Sequence, residues 1–298
     1  MIKFNIYTRL IFALVSALII INTSACGGGS SESSSGGSTS SNVALSTNAC
    51  SDIGLTTRVI NGSACGTLEN SPVVRVRTVY TNGQPSYCTG TAITPSVVLT
   101  AFHCFIGGEI VDVQVGTGNE GSVTGVPVTN IFYSPLLREE TIAGDTQIFN
   151  DFVVLTLAGP LNVPVMPILA SRSPVAGDVV KAYGYGRTST GAVDAGGPNI
   201  GDNSSLYSGE TVVRSVTNNH IRTTFFDNGS GTCFGDSGGP LVVLFNGQPA
   251  MVGVLSQFVE SGTTVPDCTT GSVSQYTNLQ SSELLSSLLE FVPDAFVN

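Results

Sequence analysis

The 298-residue sequence contains no tryptophan and two histidines, and only 11% of its residues are charged. It carries 11 basic against 21 acidic residues, a formal charge of −10. So few basic residues leave no electrostatic footprint for a phosphate backbone, which excludes DNA and RNA as partners. The apolar run Leu10 to Ile21 has twelve residues, short of the roughly 20 that a membrane-spanning helix needs. There are no heptads and no repeat with a period of about 20–50 residues. Apolar residues nevertheless make up 41% of the chain, enough for a buried core, so disorder of the whole chain is excluded.

The seven cysteines are an odd number, so one of them is unpaired, modified or reactive. Residues 1–25 read as a signal peptide: Lys3 and Arg9, the apolar run, then Asn22-Thr23-Ser24-Ala25 supply a charged region, an apolar region and a small-residue cleavage site. Cys26, followed by Gly27-Gly28-Gly29-Ser30, resembles the lipobox of bacterial lipoproteins, with Thr23 where an aliphatic residue is usual. That resemblance implies a lipid on Cys26 and attachment to a membrane of the bacterial cell envelope. Cleavage after Ala25 by an ordinary signal peptidase would give a secreted protein instead. Residues 26–49, nearly pure Ser and Gly from Ser30 to Ser41, form a flexible tether. On either route the chain is exported, and its six other cysteines can form disulfides.

Beyond Val59 the chain is a series of short β-branched runs punctuated by Gly, Pro, Asn and Ser: Val73 to Tyr80, Ser96 to Thr100, Ile110 to Val115, Phe152 to Leu157, Asp178 to Tyr183, Glu210 to Val216, Pro240 to Phe245 and Met251 to Leu255. This spacing predicts an all-β antiparallel sandwich or barrel and not βαβ units. Leu284, Leu285, Leu288 and Leu289 have helical period and predict one C-terminal helix over Ser281 to Phe291.

Chemistry concentrates in Gly235-Asp236-Ser237-Gly238-Gly239-Pro240. Glycines on both sides of a serine let the backbone approach a substrate and aim amide hydrogens at one point, as acyl transfer requires. A serine hydroxyl needs a base. His103 lies in Leu99-Thr100-Ala101-Phe102-His103-Cys104, and His220 lies in the polar run Asn218-Asn219-His220 and reads as a solvated loop residue. The hexapeptide resembles the nucleophile motif of the trypsin/chymotrypsin family. The His103 stretch is similar to that family's Thr-Ala-Ala-His-Cys, with Phe102 as the mismatch. Asn150-Asp151-Phe152-Val153-Val154-Leu155 is similar to its Asn-Asp-Ile-Ala-Leu-Leu.

The resemblance implies two six-stranded antiparallel β-barrels, with the site in the cleft between them and a helix at the C-terminus. It makes Ser237 the nucleophile, His103 the base and then acid, and Asp151 the residue that orients the imidazole. The amides of Gly235 and Ser237 become the oxyanion hole, and Ser256 a support for Asp151. Cys88 with Cys104, sixteen residues apart, and Cys233 with Cys268 become disulfides. Arg58-Val59-Ile60-Asn61-Gly62 resembles the family's activation site. Cleavage after Arg58 would separate the main chain of a propeptide, residues 50–58, from that of the protease domain, 59–298, with the new Val59 ammonium buried against Asp236. The P1 pocket would be built from Gly231, Thr232, Ser256, Phe258 and Ser274. An Asp at the position of Gly231 selects basic residues in the family, so Gly231 implies uncharged ones, and hence a separate protease to cut at Arg58. Cys50 and Cys65 remain; the second-barrel partner that Cys65 has in many family members is missing, which leaves Cys50. No cofactor is expected, and no metal, because Glu120 is the one acidic residue in Val115 to Glu120 where the family's calcium loop would lie. The partners are protein or peptide substrates. A catalytically silent homologue acting as a binding or adhesion module is the alternative.

Overall fold

In a computed structural model the chain is described over residues 71–297, except 118–124, 143–144, 187–205, 226–229, 260–267 and 269–270, and at residues 53, 57–58 and 63–65. The signal-like segment, the tether, Cys26, Cys50, Val59 and Glu120 lie outside the described residues.

Two short strands, β1 (Thr57–Arg58) and β2 (Ser63–Cys65), pair with each other. Then come β3 (Val73–Tyr80), β4 (Pro85–Thr94), β5 (Val97–Thr100), β6 (Ile110–Gly116) and β7 (Val126–Tyr133). A separate hairpin of β8 (Arg138–Ile142) and β9 (Asp145–Phe149) precedes β10 (Val153–Leu157). Strand β10 pairs with both β5 and β7, which closes the ring β10-β5-β4-β3-β6-β7. Closure is what the side-chain alternation demands. Along β3, Val73 to Val76 are all buried, and beyond them Thr78 and Tyr80 are buried while Arg77 and Val79 are half-exposed, so one face of the strand looks into a core along its whole length.

The second half contains β11 (Ile168–Leu169), β12 (Val179–Gly184), β13 (Leu206–Val216), β14 (His220–Thr224), β15 (Pro240–Phe245), β16 (Gln248–Val259) and β17 (Val273–Asn278). They are followed by helix α1 (Ser282–Phe291) and β18 (Phe296–Val297). Strand β14 pairs with both β13 and β17, closing a second antiparallel ring, β13-β12-β15-β16-β17-β14. Leu169, Val180, Val213, Ile221, Leu241, Val252 and Tyr276 pack together in its interior. The expected fold of two six-stranded barrels is therefore the observed one. Helix α1 buries Leu284 and Leu288, one turn apart, and leaves Leu289 exposed. None of the described helices is long and apolar enough to cross a membrane.

Several strands have no strong signal in the sequence. Strand β17, Val-Ser-Gln-Tyr-Thr-Asn, is polar yet buried at all six positions. Hydrogen bonds take the place of water for several of its side chains: Ser274 Oγ meets Thr232 Oγ1, Gln275 Oε1 accepts from Arg222 Nε, Thr277 Oγ1 donates to Asp151 O and Asn278 Nδ2 donates to Thr217 O. Strand β8, Arg-Glu-Glu-Thr-Ile, is exposed throughout and is held by its pairing with β9.

Candidate active site

Four loops converge on the cleft. Strand β5 ends at Thr100 and runs into a single turn of 3-10 helix, Phe102–Phe105, which carries His103. The disulfide Cys88–Cys104 fixes that turn to β4. Asp151 sits between β9 and β10, behind Asn150, whose φ of 57° is left-handed. Asparagine tolerates that conformation better than most residues, and its side-chain amide donates to Leu136 O at 2.8 Å.

Asp151 is completely buried, and its carboxylate is surrounded by donors. Oδ2 lies 2.8 Å from His103 Nδ1 and accepts from the Ser256 hydroxyl at 2.6 Å. Oδ1 accepts from the His103 amide at 3.0 Å. Burial works against ionisation, but the hydrogen bond and charge of His103, the Ser256 hydroxyl and the His103 amide outweigh it and hold the carboxyl below its usual range. Ser256 reaches Asp151 because the β16–β17 register slips between Leu255 and Gln257, a bulge that redirects one side chain. Thr277 Oγ1 donates to Asp151 O at 3.3 Å.

Ser237 follows a turn in which Gly235 has φ 98° and Gly238 φ 81°. A Cβ on Gly238 would collide with Thr100 Oγ1 and Thr89 O, so glycine is required there for the loop to lie flat against β4 and β5. Ser237 O is 4.0 Å from Cys104 Sγ, which puts the serine main chain beside the histidine turn. Among the described residues no hydrogen bond joins Ser237 Oγ to the imidazole; such contacts are often long without substrate. Asp236 points the other way, accepting from the Gly186 amide at 2.7 Å and the Cys233 amide at 2.8 Å. Burial raises its carboxyl to about 6, against the pull of those two amides. The disulfide Cys233–Cys268 braces the same loop.

The residues expected to line a P1 pocket are joined to one another and to this loop. Phe258 and Ser274 are direct partners across β16–β17, and Thr232 Oγ1 meets Ser274 Oγ at 2.7 Å in a buried pair. Gly231 is exposed, with the Phe225 ring where a Cβ would stand. Ser256 turns its hydroxyl to Asp151. The arrangement contributes two residues that sequence reading missed. Phe234, exposed at 48%, packs edge-on against Phe258 at 6.0 Å. Gln257 accepts from the Ile148 amide at 3.1 Å and donates to Thr146 O at 3.4 Å, fastening β9 to the pocket strand. At the chain's other described end, Arg58 pairs with Ala64 between β1 and β2, and Cys65 in β2 pairs with Leu206.

His220 is not the solvated loop residue that its polar flank predicts. Asn218 and Asn219 form the turn, while His220 begins β14 opposite Thr277 and is 3% exposed. Its ring lies 4.8 Å from that of Phe149, and Nε2 is 3.2 Å from Ile148 O. That carbonyl can only accept, so Nε2 carries the proton. Burial pushes the imidazole down to about 4; the Ile148 carbonyl opposes this, the charges of Arg222 and Arg138 add to it, and Asp151 opposes it.

One His/Cys/acid group among the described residues has its ligand atoms close together: Cys88, His103 and Cys104. Its two sulfurs are joined in a disulfide, so it offers an imidazole and no thiolate, and does not make a metal site.

The trypsin family model matches residues 59–280. The chain is 30% identical over 225 residues to human chymotrypsin-like elastase family member 1, covering 68% of this chain and 82% of that protein. It is 30% identical over 179 residues to a trypsin of Saccharopolyspora erythraea, covering 56% and 75% respectively. Among solved structures, an inactivated protease paralogue of the scabies mite aligns with a TM-score of 0.53 at 21% identity, covering 75% of this chain and 95% of that one.

The state of His220 makes a prediction. An unfolded histidine takes up a proton near pH 6.5, whereas this one resists until about 4. Its contribution to stability is therefore intact above pH 6.5 and is lost as the pH falls towards 4. A His220→Gln protein keeps a donor for Ile148 O and should gain about 2 kcal/mol on the parent between pH 7 and pH 4.5. Urea unfolding at the two pH values measures this, and a difference that does not change with pH would contradict it.

Proposed function

The chain belongs to the trypsin family, and on that footing we propose that it is an exported serine endopeptidase, made as a zymogen and activated by cleavage after Arg58. The observation that carries the reading is the buried Asp151 carboxylate, kept ionised by His103 and Ser256, in a chain that also has its serine in the nucleophile motif. Asp151 accepts a hydrogen bond from His103 Nδ1–H, which keeps that proton on Nδ1 and leaves Nε2 as the base. Ser237 Oγ attacks the scissile carbonyl as its proton passes to Nε2, and the amides of Gly235 and Ser237 receive the oxyanion. The imidazolium then protonates the leaving amine. A water deprotonated by the same nitrogen releases the acyl group from Ser237. An inactive binding module would have no need of an ionised Asp151 aimed at a histidine.

Activation rests on Asp236. Its carboxylate has two amide donors and no cationic partner among the described residues, and it ionises only near pH 6. The Val59 ammonium supplies the missing charge and orders the loop that carries Gly235. With Gly231 and the Thr232–Ser274 hydroxyl pair at its base, the P1 pocket offers no carboxylate to a basic side chain. It therefore takes uncharged residues, and a trypsin-like protease, not the enzyme itself, cuts after Arg58. Through a Cys50–Cys65 disulfide the cut enzyme stays joined to its leader, and through a lipid on Cys26 to a membrane.

Three outcomes are expected. A fluorophosphonate probe should label Ser237 strongly after trypsin treatment and weakly before, with no label on Ser237→Ala; a folded, cut protein that takes no label would instead support the silent-homologue alternative. In a panel of P1-varied peptides, kcat/KM should be about tenfold or more lower for Arg than for the best uncharged residue, and purified zymogen incubated alone should stay uncut; preference for Arg would overturn the pocket reading. On a non-reducing gel the cut protein should run at the size of the uncut one and should enter the detergent phase on partitioning. A free 59–298 fragment would refute the disulfide tether, and recovery in the aqueous phase would refute the lipid.

A further inference from the structure

Thr89, on β4, has no place in the motifs. It is nonetheless completely buried, and each of its polar groups is committed to the site. Its amide donates to Ser237 O at 2.8 Å. Its hydroxyl donates to Gly235 O at 2.8 Å and accepts from the Tyr185 amide at 3.1 Å. Its carbonyl accepts from the Thr100 hydroxyl at 2.7 Å, three residues before His103. One residue of the first barrel thus holds the loop that delivers the nucleophile and the strand end that delivers the base.

We propose that Thr89 is a positioning residue of the reaction, fixing the Gly235–Ser237 loop relative to His103; the assignment rests on the enzymatic reading above. Gly235 has φ 98° and no Cβ, so sterics leave its flanking peptides free to turn. The Thr89 hydroxyl removes that freedom by anchoring the Gly235 carbonyl, which fixes the plane of the Gly235–Asp236 peptide, the one that lies between the two peptides carrying the Gly235 and Ser237 amides. The hydroxyl has a single proton and gives it to Gly235, so its lone pair must face the Tyr185 amide. Threonine or serine can satisfy both contacts, and valine neither. The Thr89 methyl, 3.3 Å from where a Cβ on Gly239 would stand, packs the other side of the same loop. The anchor does not pass through Asp236, so it acts before and after the cut at Arg58.

The test compares trypsin-cut wild type, Thr89→Val and Thr89→Ser. It measures the second-order rate of fluorophosphonate labelling, kcat and KM on an uncharged-P1 peptide, and the pH dependence of kcat/KM. Thr89→Val should lose about tenfold to a hundredfold in labelling rate and kcat, since a misaimed oxyanion donor is felt in the transition state. Its KM should stay within about twofold and its acid limb should not move, because the His103–Asp151 contacts are untouched. Thr89→Ser should remain within about threefold of wild type. If Thr89→Val does not fold, Thr89→Ala removes the same hydroxyl in a smaller side chain and carries the same expectation. Wild-type kcat in the valine or alanine variant overturns the assignment, as does a serine variant that falls as far. A folded, cut wild type that takes no label overturns the enzymatic reading and this assignment with it.

Discussion

A carboxylate with no access to water sits where the two barrels meet, and the site is organised around keeping it charged. Isolated, the ionised Asp151 side chain would be too costly to bury, and it would take up a proton instead. Three donors from two segments prevent that: the imidazole and amide of His103 from the first barrel, and the hydroxyl of Ser256 from the second. The carboxylate and each of the two residues that donate to it require a local irregularity. Asn150 is left-handed, a single turn of 3-10 helix follows β5, and a bulge interrupts β16 and β17. Regular strands would have carried these side chains past one another, so the departures from ideal geometry are the means of satisfying one buried charge.

That dependence explains what could be read from the sequence. His103, Asp151 and Ser237 each sit in a run of a few residues whose types are dictated locally: glycines where backbone must approach backbone, a cysteine beside the histidine, an asparagine ahead of the aspartate. The β-branched apolar runs of β3, β10 and β15 were equally legible, because strands of a closed barrel are packed into a core. Residues that act through distant partners gave no such signal. Thr89 meets Gly235 across 146 positions, Gln257 meets Ile148 across 109, and His220 meets Ile148 across 72. A threonine beside a cysteine, a glutamine in a strand and a histidine after two asparagines look ordinary until the barrels close.

His220 shows the same effect. Its neighbours Asn218 and Asn219 are turn formers, and their polarity predicts a solvated loop through it. The turn ends one residue earlier than that reading assumes, and β14 begins at His220 with its ring against Phe149. With Gln257, it ties the exposed β8–β9 hairpin to the second barrel just ahead of Asp151. A hairpin whose outer strand is wholly exposed has little core of its own, so these side-chain bonds to its backbone set where the Asp151 turn begins.

Asp151 and Asp236 make a useful contrast. Both are carboxylates in the same cleft wall, and burial raises both, yet one ends below its ordinary range and the other near 6. The difference lies in the donors. Asp151 has an imidazole and a hydroxyl besides an amide, whereas Asp236 has two amides, dipoles that relieve a buried charge only in part. Among the described residues the Asp151 carboxylate has the donors that hold it ionised, and the Asp236 carboxylate does not. On the proposed activation, the cut at Arg58 therefore has no need to rebuild the triad. It need only deliver one positive charge to Asp236, and the energy released by pairing that carboxylate goes into the loop on which Gly235 sits.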